Sequence, residues 1–576
     1  MAGIDHDNPL IVQSDRTVLL EVASPKAGDA RAALARFAEL ETSPEHVHTY
    51  RITPLSLWNA AAAEVSPDEV AATLTTYAKY PVPDAVLVDV RDEMGRYGRL
   101  RLVRDFDSGG LALTSAEVAL LEEVRRDEEV AGLLGDRLDG NRFAVRLGDR
   151  GVLKQALLRL GWPPLDEAGY VDGAALDLQL TCQLRSYQAD ALASWWADGS
   201  PAGGNGVLVL PCGAGKTVIG LAAMAQTATR TLILATSITA ARQWIRELLD
   251  KTDLDPRDVG EYSGERKQIR PVTVATYQVM TWRPPTRDEG DDLEVDPNAQ
   301  PRPDRVGDPI ARHPHLALLD DHDWGLVLYD EVHLLPAPVF RATARIQATR
   351  RLGLTATLVR EDGKAGDVFS LIGPKRFDAP WRELESQGWI APAACTEIRV
   401  PLDDEERMTY AVAPGPQRYR VAATSPQKLR VLDRLVDRHL DDRVLIIGQY
   451  LEQLKEVAER YEAPLITGRT GQTTRDERFA AFRDGELRLL VVSKVANFAI
   501  DLPEANVAVQ LSGTFGSRQE EAQRLGRLLR PKADGGVAHF YTVVARDTVD
   551  QGFAAKRQRF LTEQGYRYHI LDGEVA

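Results

Sequence analysis

At 576 residues the chain is too long for one hydrophobic core, so we expect several domains. Its 44% hydrophobic content is typical of a globular protein, while three scattered cysteines and the lack of an apolar run of about 18 residues exclude a disulfide framework and a membrane span. The formal net charge of −15 excludes a protein that coats nucleic acid nonspecifically.

The negative charge is unevenly distributed along the chain. Residues 1–180 contain 19 basic and 30 acidic residues, a net charge of −11, whereas residues 181–576 carry only −4. A polyanion is therefore expected to bind in a local groove of the later part.

Residues 1–180 mix short strand-like segments with longer helical patterns, and no catalytic motif appears among them. The strand-like segments are TVLLEV (17–22) and AVLVDV (85–90), and the helical ones are DARAALARFAEL (29–40) and TSAEVALLEEVRRDEEVAGLLGDRL (114–138). We predict an α+β N-terminal region of two accessory or docking modules, residues 1–105 and 106–180.

From residue 181 the pattern changes to apolar strands that alternate with helices, which is typical of parallel sheets covered on both faces. The predicted strand segments are VLVLP (207–211), TLILAT (231–236), PVTVATY (271–277), WGLVLYDE (324–331), RLGLTAT (351–357), VLIIGQY (444–450), APLITG (463–468), LRLLVVS (487–493), VAVQLSG (507–513) and AHFYTVVA (538–545). We predict an α/β fold with two lobes, residues 181–378 and 379–576, and a Pro- and Asp-rich surface insertion at 284–314.

The segment GVLVLPCGAGKTVIGLAAM (206–224) reads as a strand, a glycine turn and a helix, which indicates a phosphate-binding loop. The strict signature has a glycine where this chain has Leu210. Small residues let backbone N–H groups point at phosphate oxygens, the lysine contacts the β- and γ-phosphates, and the threonine binds Mg²⁺. The candidate nucleotide-binding residues are Gly213, Ala214, Gly215, Lys216 and Thr217.

The segment WGLVLYDEVH ends a buried strand in two adjacent carboxylates. Asp330 is the candidate Mg²⁺ ligand, and Glu331 would polarise the attacking water. A buried strand that delivers both carboxylates beside a basic loop has no simple structural explanation. The two motifs together predict nucleoside triphosphate hydrolysis, with ATP and Mg²⁺ as cofactors.

Two further segments complete the predicted nucleotide site. In QRLGRLLR (523–530), the residues Gln523, Arg527 and Arg530 share one helix face, and the arginines would reach the γ-phosphate from the second lobe as arginine fingers. Upstream of the loop, LRSYQ (184–188) offers Arg185 and Gln188 for the adenine base. The alternative for both segments is an ordinary solvated helix surface.

These motifs, in this order, resemble the XPB (xeroderma pigmentosum group B) branch of the superfamily 2 helicases. The resemblance covers about residues 181–545 and is carried by LPCGAGKT, YDEVHLLPAPVF, RLGLTATLVREDGK, LIGPKRF, WRELESQGWIAPAACTEI, SKVANFAIDLPEANVAVQLSG and EAQRLGRLLRPK. Arg360, Glu361 and Asp362 stand where that family has its RED motif, which the resemblance associates with strand opening. Residues 1–180 are similar in layout to the N-terminal region of bacterial members.

The resemblance implies two RecA-like lobes and a DNA-dependent ATPase that moves 3′ to 5′ and opens duplex in repair or transcription-linked processing. It implies single-stranded and forked duplex DNA as substrates, a damage-recognition role for residues 106–180, and a nuclease or a repair or transcription protein as partner. We expect a monomer of the bacterial cytoplasm, associated with the nucleoid and with no membrane contact. Only residues 400–428 are available where some archaeal members carry a helical thumb, so any thumb is small.

Motif order also assigns candidate DNA contacts and coupling residues. The predicted contacts with the DNA backbone are Ser237, Arg242 and Thr276 in the first lobe and Thr470 and Ser493 in the second. The predicted coupling residues between the ATP site and the DNA groove are His333, Thr355 and Thr357. For each hydroxyl the alternative is a helix cap or a turn hydrogen bond.

Three alternative functions remain open at this point. The same motifs serve RNA helicases and double-strand DNA translocases that separate strands little. A nucleic-acid-binding scaffold with a vestigial ATPase is the third, and the complete set of catalytic residues argues against it.

Overall fold

A computed structural model describes most of the chain. The described residues are 5–42, 46–105, 110–146, 149–167, 173–199, 203–211, 213–283, 313–319, 323–334, 348, 350–356, 365–379, 384–385, 387–389, 392–493, 505–513, 537–563 and 567–573. Among them, no helix combines the length and the apolarity that crossing a bilayer requires.

The first module is a four-stranded antiparallel sheet in the order β1-β2-β4-β3, packed against helices. Its strands are β1 (Leu10–Val12), β2 (Thr17–Glu21), β3 (Glu39–Thr42) and β4 (Val47–Arg51), and its helices are Ala27–Leu34, Pro54–Ala62, Pro67–Tyr77 and Asp84–Met94. The strand predicted from TVLLEV is confirmed. The strand predicted from AVLVDV is wrong, because Val86, Val90 and Met94 are buried at a spacing of four residues along a helix.

The second module is a five-stranded sheet in the order β7-β8-β6-β5-β9. Its strands are β5 (Leu100–Arg104), β6 (Leu111–Ser115), β7 (Leu134–Asp139), β8 (Arg142–Val145) and β9 (Leu165–Asp166), and its helices are Val118–Arg125, Glu128–Leu133 and Arg150–Arg159. Strand β5 precedes the predicted module boundary at 105/106 yet pairs with β6. The single helix predicted over 114–138 is wrong, because the Asp127 side chain caps a second helix and β7 follows it.

The first lobe is a seven-stranded parallel sheet in the order β12-β13-β11-β14-β15-β10-β16. Its strands are β10 (Asn205–Val209), β11 (Thr231–Ala235), β12 (Val259–Tyr262), β13 (Val272–Thr276), β14 (Leu326–Asp330), β15 (Arg350–Thr355) and β16 (Lys375–Asp378). Its α-helices are Ser186–Trp196, Lys216–Thr227, Ile238–Lys251, Tyr277–Met280 and Ala365–Ile372. Nearly every residue of the central strands β11 and β14 is buried, as the apolar runs predict.

The second lobe is a seven-stranded parallel sheet in the order β19-β20-β18-β21-β22-β17-β23. Its strands are β17 (Ala393–Val400), β18 (Val444–Gly448), β19 (Leu465–Ile466), β20 (Leu489–Ser493), β21 (Val507–Gln510), β22 (Ala538–Ala545) and β23 (Arg567–Asp572). Its helices are Asp404–Val412, Gly415–Ala423, Pro426–Arg438, Leu451–Arg460, Gln472–Arg483 and Val549–Glu563. The predicted fold of two parallel-sheet lobes after an α+β region is therefore confirmed.

The segment expected to form at most a small thumb contains two nine-residue helices, Asp404–Val412 and Gly415–Ala423. The Tyr419 hydroxyl donates to the Gly513 carbonyl and accepts from the Gly513 N–H, at 3.1 Å in the second contact. The Tyr410 hydroxyl accepts from the Val549 N–H at 2.8 Å. These bonds fix the helical pair to the sheet of the second lobe.

Candidate active site

Three adjacent strands bring the predicted catalytic residues to one edge of the first-lobe sheet. β15 lies between β10 and β14, with Val209 opposite Thr355 and Asp330 opposite Leu354. Glu331 follows Asp330 directly. In parallel sheets, ligands bind beyond the carboxyl ends of the strands. The phosphate-binding loop and the carboxylate pair therefore occupy the part of the sheet where a nucleotide is expected.

The loop between β10 and the helix Lys216–Thr227 has the backbone that phosphate binding needs. Gly213 and Gly215 have φ values of 84° and 75°, in the left-handed region that favours glycine. Leu210 replaces the first glycine of the strict signature without disturbing the loop. Its side chain is fully buried in the core, and its N–H donates to the Thr355 carbonyl at 2.9 Å, which extends the strand pairing.

Gly215 is predicted to be indispensable for the loop. A Cβ atom at this position would lie 2.4 Å from Gln188 Nε2, and its φ is positive. We expect Gly215→Ala to lower the free energy of unfolding by about 1–2 kcal/mol and to weaken ATP binding. Gly264→Ala in the same lobe is the matched control, because nothing lies within 4 Å of its added Cβ. Thermal unfolding and titration with a fluorescent ATP analogue measure both effects, and equal behaviour of the two variants would contradict the assignment.

Lys216 and Glu331 contact each other directly. The Lys216 Nζ lies 3.1 Å from Glu331 Oε1, and the exposed fractions of the two side chains are 10% and 16%. The Ala356 N–H donates to Glu331 Oε2 at 3.4 Å. Glu331 has a φ of 48°, an uncommon value for a residue with a side chain, and such strain is concentrated at functional sites.

Asp330 is held by two aromatic residues that sequence reasoning did not single out. Trp244 Nε1 donates to Asp330 Oδ2 at 3.1 Å, and the Tyr277 hydroxyl donates to the Asp330 carbonyl at 3.0 Å. Burial, together with the charge of Asp330, raises the pKa of Tyr277 well above its ordinary value, so the phenol stays a donor. The signal in the sequence was the buried face of Ile238–Lys251, of which Trp244 is part.

The two carboxylates lack full compensation by positive charge. Burial and the neighbouring Glu331 charge raise the pKa of Asp330 to about 6, against the opposing effects of the Trp244 hydrogen bond and the Lys216 charge. Oxygen ligands and uncompensated negative charge are what Mg²⁺ requires, so the Asp330 carboxylate beside Glu331 fits this ion, while the role of Thr217 stays a prediction.

The raised pKa of Asp330 predicts a pH-dependent stability. Folding makes this carboxyl bind its proton more tightly, so its stabilising effect is present below pH 4 and is lost as pH rises through about 6. We expect Asp330→Asn to stabilise the metal-free chain by roughly 1–3 kcal/mol at pH 8 and to have a much smaller effect at pH 4, where the wild-type carboxyl is protonated in the folded chain. Thermal unfolding in a chelator at both pH values, beside the exposed control Asp190→Asn, measures this difference. Equal effects at the two pH values would contradict it.

The segment predicted to bind adenine contacts the phosphate-binding loop. Gln188 Nε2 and the Tyr187 hydroxyl both donate to the Ala214 carbonyl, at 3.1 and 2.7 Å, and Gln188 Oε1 accepts from the Arg185 N–H at 2.9 Å. The Arg185 guanidinium lies over the Trp389 ring, 5.1 Å from its centroid. Gln188 thus positions the loop, and Arg185 with Trp389 forms a flat cationic and aromatic surface beside it. Trp389 was missed because its segment carries no nucleotide motif.

The hydroxyls predicted to bind DNA in the first lobe act as helix caps. Ser237 Oγ accepts from the Ala240 N–H at 3.2 Å, and Thr276 Oγ1 accepts from the Val279 N–H at 3.3 Å. These are the alternatives that the sequence left open. Both residues still stand at the carboxyl ends of β11 and β13, so their backbone N–H groups lie at the edge where DNA is expected.

Arg242 is engaged in ion pairs. Its Nε lies 3.1 Å from Glu261 Oε2, and its Nη2 lies 2.5 Å from Glu265 Oε2. Burial by itself would lower the pKa of Arg242, but the hydrogen bonds and charges of Glu261 and Glu265 outweigh it, so the pKa is raised. A DNA phosphate would have to replace one of these carboxylates, so direct contact with DNA stays a prediction for Arg242.

In the second lobe, Thr470 closes a turn and Ser493 ends a strand. Thr470 Oγ1 accepts from the Thr467 N–H at 2.9 Å. Ser493 is 3% exposed at the end of β20, and its Oγ has no hydrogen-bond partner among the described residues. Thr355 is fully buried at the end of β15, between the phosphate-binding loop and the carboxylate pair.

Several predicted residues lie outside the described part of the chain. These are Thr357, Arg360, Glu361, Asp362, Gln523, Arg527 and Arg530. His333 lies in the 3-10 helix Val332–Leu334, of which only the backbone is described at that position. Their predicted roles stay predictions.

Sequence models of three protein families match the chain. The model of the ERCC3/RAD25/XPB C-terminal helicase matches residues 384–575, that of the res subunit of type III restriction enzymes matches 181–360, and that of a helicase conserved C-terminal domain matches 10–139. The first two matches coincide with the two parallel-sheet lobes.

Whole proteins of the same kind are similar over nearly the full length. The chain is 57% identical over 571 residues to proteins named DNA 3′-5′ helicase XPB from Kineococcus radiotolerans and Mycobacterium tuberculosis, covering 99% of this chain and 97% and 98% of the relatives. It is 36% identical to a putative DNA 3′-5′ helicase Rad25 from Halobacterium salinarum, covering 93% of this chain and 83% of the relative.

Proposed function

The chain belongs to the XPB family of helicases, and from this we propose that it is an ATP-dependent 3′-5′ DNA helicase that opens duplex in repair or transcription-linked processing. One structural observation supports the proposal independently of sequence similarity. Lys216, Asp330 and Glu331, which come from separate segments of the sequence, meet at one sheet edge beside a glycine loop. This is the arrangement that hydrolysis of a nucleoside triphosphate requires.

Each residue of this group has a distinct task. The N–H groups of the loop 213–217 and the positive end of the helix Lys216–Thr227 bind phosphate oxygens, and Lys216 binds the terminal phosphates. Glu331 positions the attacking water and accepts its proton. Trp244 and Tyr277 fix Asp330, so the carboxylate is oriented before substrate arrives.

Asp330 and Thr217 would hold Mg²⁺, which when bound neutralises charge on the phosphates. The adenine base would lie against the Arg185 and Trp389 surface, where a planar base can stack on a guanidinium and an indole. Gln188 would act indirectly, through the Ala214 carbonyl that it holds.

Movement on DNA requires that the second lobe respond to the terminal phosphate. We assign this response to Arg527 and Arg530, with Gln523 beside them, which would bind the γ-phosphate and release it after hydrolysis. Thr355, Thr357 and His333 would link this change to the DNA contacts at the ends of β11, β13 and β20. Arg360, Glu361 and Asp362 would assist strand opening.

The proposal extends to the oligomeric state, the cellular compartment and the partner of the chain. We propose a monomer acting on single-stranded and forked DNA in the bacterial cytoplasm, with residues 106–180 recognising distorted duplex. A relative from Antonospora locustae, 33% identical, is named a subunit of a general transcription and DNA repair factor. A nuclease or a repair or transcription protein is accordingly proposed as the partner of this chain.

Strand displacement on forked substrates tests the proposed function. We expect ATP-dependent opening of forks with a 3′ tail and none with a 5′ tail, and stronger stimulation of ATP hydrolysis by single-stranded DNA than by RNA of equal length. Equal stimulation by RNA would favour an RNA helicase. Stimulation by duplex without displacement would favour a double-strand translocase, and inactivity with every polynucleotide, matching Lys216→Ala, would favour a scaffold.

A further inference from the structure

Three aromatic side chains and a lysine form a group beyond the predicted DNA contacts of the first lobe, and Trp282 is its exposed ring. It consists of Tyr262, Lys267, Trp282 and His315, which we call the aromatic platform. Tyr262 is the last residue of β12, the outer strand of the sheet, and pairs with Ala275 of β13. The carboxyl ends of β11, β13 and β12 therefore continue one line along the sheet edge, from the predicted DNA contacts to the platform.

Each of the four side chains contacts the next in the spatial order Trp282, His315, Tyr262 and Lys267. The Trp282 and His315 ring centroids are 5.6 Å apart, and those of His315 and Tyr262 are 5.7 Å apart in an edge-on arrangement. The Tyr262 hydroxyl and His315 Nδ1 share a hydrogen bond of 2.8 Å. The Lys267 Nζ lies over the Tyr262 ring, 5.1 Å from its centroid. The rings are thus held by one another before any ligand binds.

The segment that carries Trp282 is fixed on both sides. His313 Nδ1 donates to the Thr281 carbonyl at 2.9 Å, while His313 Nε2 accepts from Arg283 Nε at 3.1 Å. This assignment uses both nitrogens of a neutral imidazole, because a carbonyl can only accept and a guanidinium can only donate. The indole is therefore presented by a rigid backbone, which reduces the entropy lost when a ligand binds.

Exposure and charge distinguish the platform from the core. Trp282 is 48% exposed, whereas Trp195, Trp244 and Trp324 of the same lobe are at most 2% exposed. Two exposed cations belong to this place: Lys267, which lies over the Tyr262 ring, and Arg283, which follows Trp282 directly in the chain. The nearby acidic residues Glu261 and Glu265 both pair with Arg242, which offsets one of their two negative charges.

We propose that the aromatic platform is a further binding site for single-stranded DNA, in which an unpaired base stacks on Trp282 and the surrounding cations bind the strand backbone. The proposal rests on the proposed function. It extends the predicted line of DNA contacts from the ends of β11 and β13 to the end of the neighbouring strand β12. Stacking needs the open face of a base, which a continuous duplex does not offer, and it does not depend on base identity. The exposed cations favour a polyanion over an apolar protein surface.

Affinity measurements with single-stranded oligonucleotides test the site. Trp282→Ala should weaken binding about tenfold, because stacking of one base is worth about 1–3 kcal/mol, while Trp282→Phe should retain most of the affinity. Lys267→Gln should weaken binding less and should reduce its dependence on salt concentration. Tyr80→Ala is the matched control, because Tyr80 is an aromatic residue of the first module that is 45% exposed.

Photo-crosslinking identifies the contact directly and does not depend on variant stability. An oligonucleotide containing 5-iododeoxyuridine should crosslink to a peptide that contains Trp282 or Tyr262. A wild-type chain that is stimulated by DNA, crosslinks elsewhere and matches Trp282→Ala in affinity would overturn the platform alone. A wild-type chain that neither binds DNA nor responds to it would overturn the proposed function together with the platform.

Discussion

Glu331→Gln is expected to lower the rate of ATP hydrolysis about 10²–10⁴-fold, the range typical of a lost general base. The amide keeps the size of the side chain but cannot accept the proton of the attacking water. ATP should still bind, because the loop 213–217 and Lys216 are unchanged. Single-turnover hydrolysis and the affinity for an ATP analogue, measured on the same samples, separate the chemical step from binding.

Glu456→Gln is the matched control for this variant. Glu456 is exposed on the helix Leu451–Arg460 of the second lobe, away from the sheet edge that holds the nucleotide site. It should hydrolyse ATP at the wild-type rate. If Glu331→Gln hydrolysed ATP as fast as the control, the water-activating group would have to be sought elsewhere.

Arg530→Ala is expected to reduce hydrolysis by 10³–10⁵-fold, the effect typical of a lost arginine finger. Single-strand binding should remain nearly intact, since the predicted role of Arg530 is to bind the γ-phosphate. The measurements are ATP turnover with saturating single-stranded DNA and the affinity for the same oligonucleotide. Translocation should be abolished together with turnover.

Arg430→Ala provides the comparison, because Arg430 is exposed on the helix Pro426–Arg438 of the same lobe. It should leave turnover unchanged. A large loss of DNA affinity in Arg530→Ala, with turnover preserved at saturating DNA, would instead identify Arg530 as a contact with the DNA backbone.

Apolar runs predicted ten of the fourteen strands that the structure describes in the two lobes. All ten predicted segments form strands, because a strand buried on both faces must be continuously apolar and is thereby visible in the sequence. Strands β12, β16, β17 and β23 were not predicted, because VGEY, KRFD, AACTEIRV and RYHILD carry charged residues that interrupt an apolar run. The strand predicted from AVLVDV was wrong because an apolar run rich in branched residues can also form one buried face of a helix.

The sequence predicted the catalytic residues of the site but not the residues that hold them in place. Lys216, Asp330 and Glu331 belong to motifs whose spacing encodes their role. Trp244 contacts Asp330, from which it is 86 residues away in the chain, and Trp389 contacts Arg185, which is 204 residues away. Because these contacts form only on folding, no local sequence pattern predicts them. The hydroxyls of Ser237 and Thr276 show a second limit of sequence-based prediction. A helix cap and a contact with the DNA backbone both use a serine or threonine at the start of a helix, so the sequence does not distinguish them.

The contact between Lys216 and Glu331 joins the lysine proposed to bind the terminal phosphates to the carboxylate proposed to position the attacking water. A carboxylate that binds an ammonium competes with phosphate oxygens for the same cation. We therefore expect binding of ATP to Lys216 to release the Glu331 side chain from this contact.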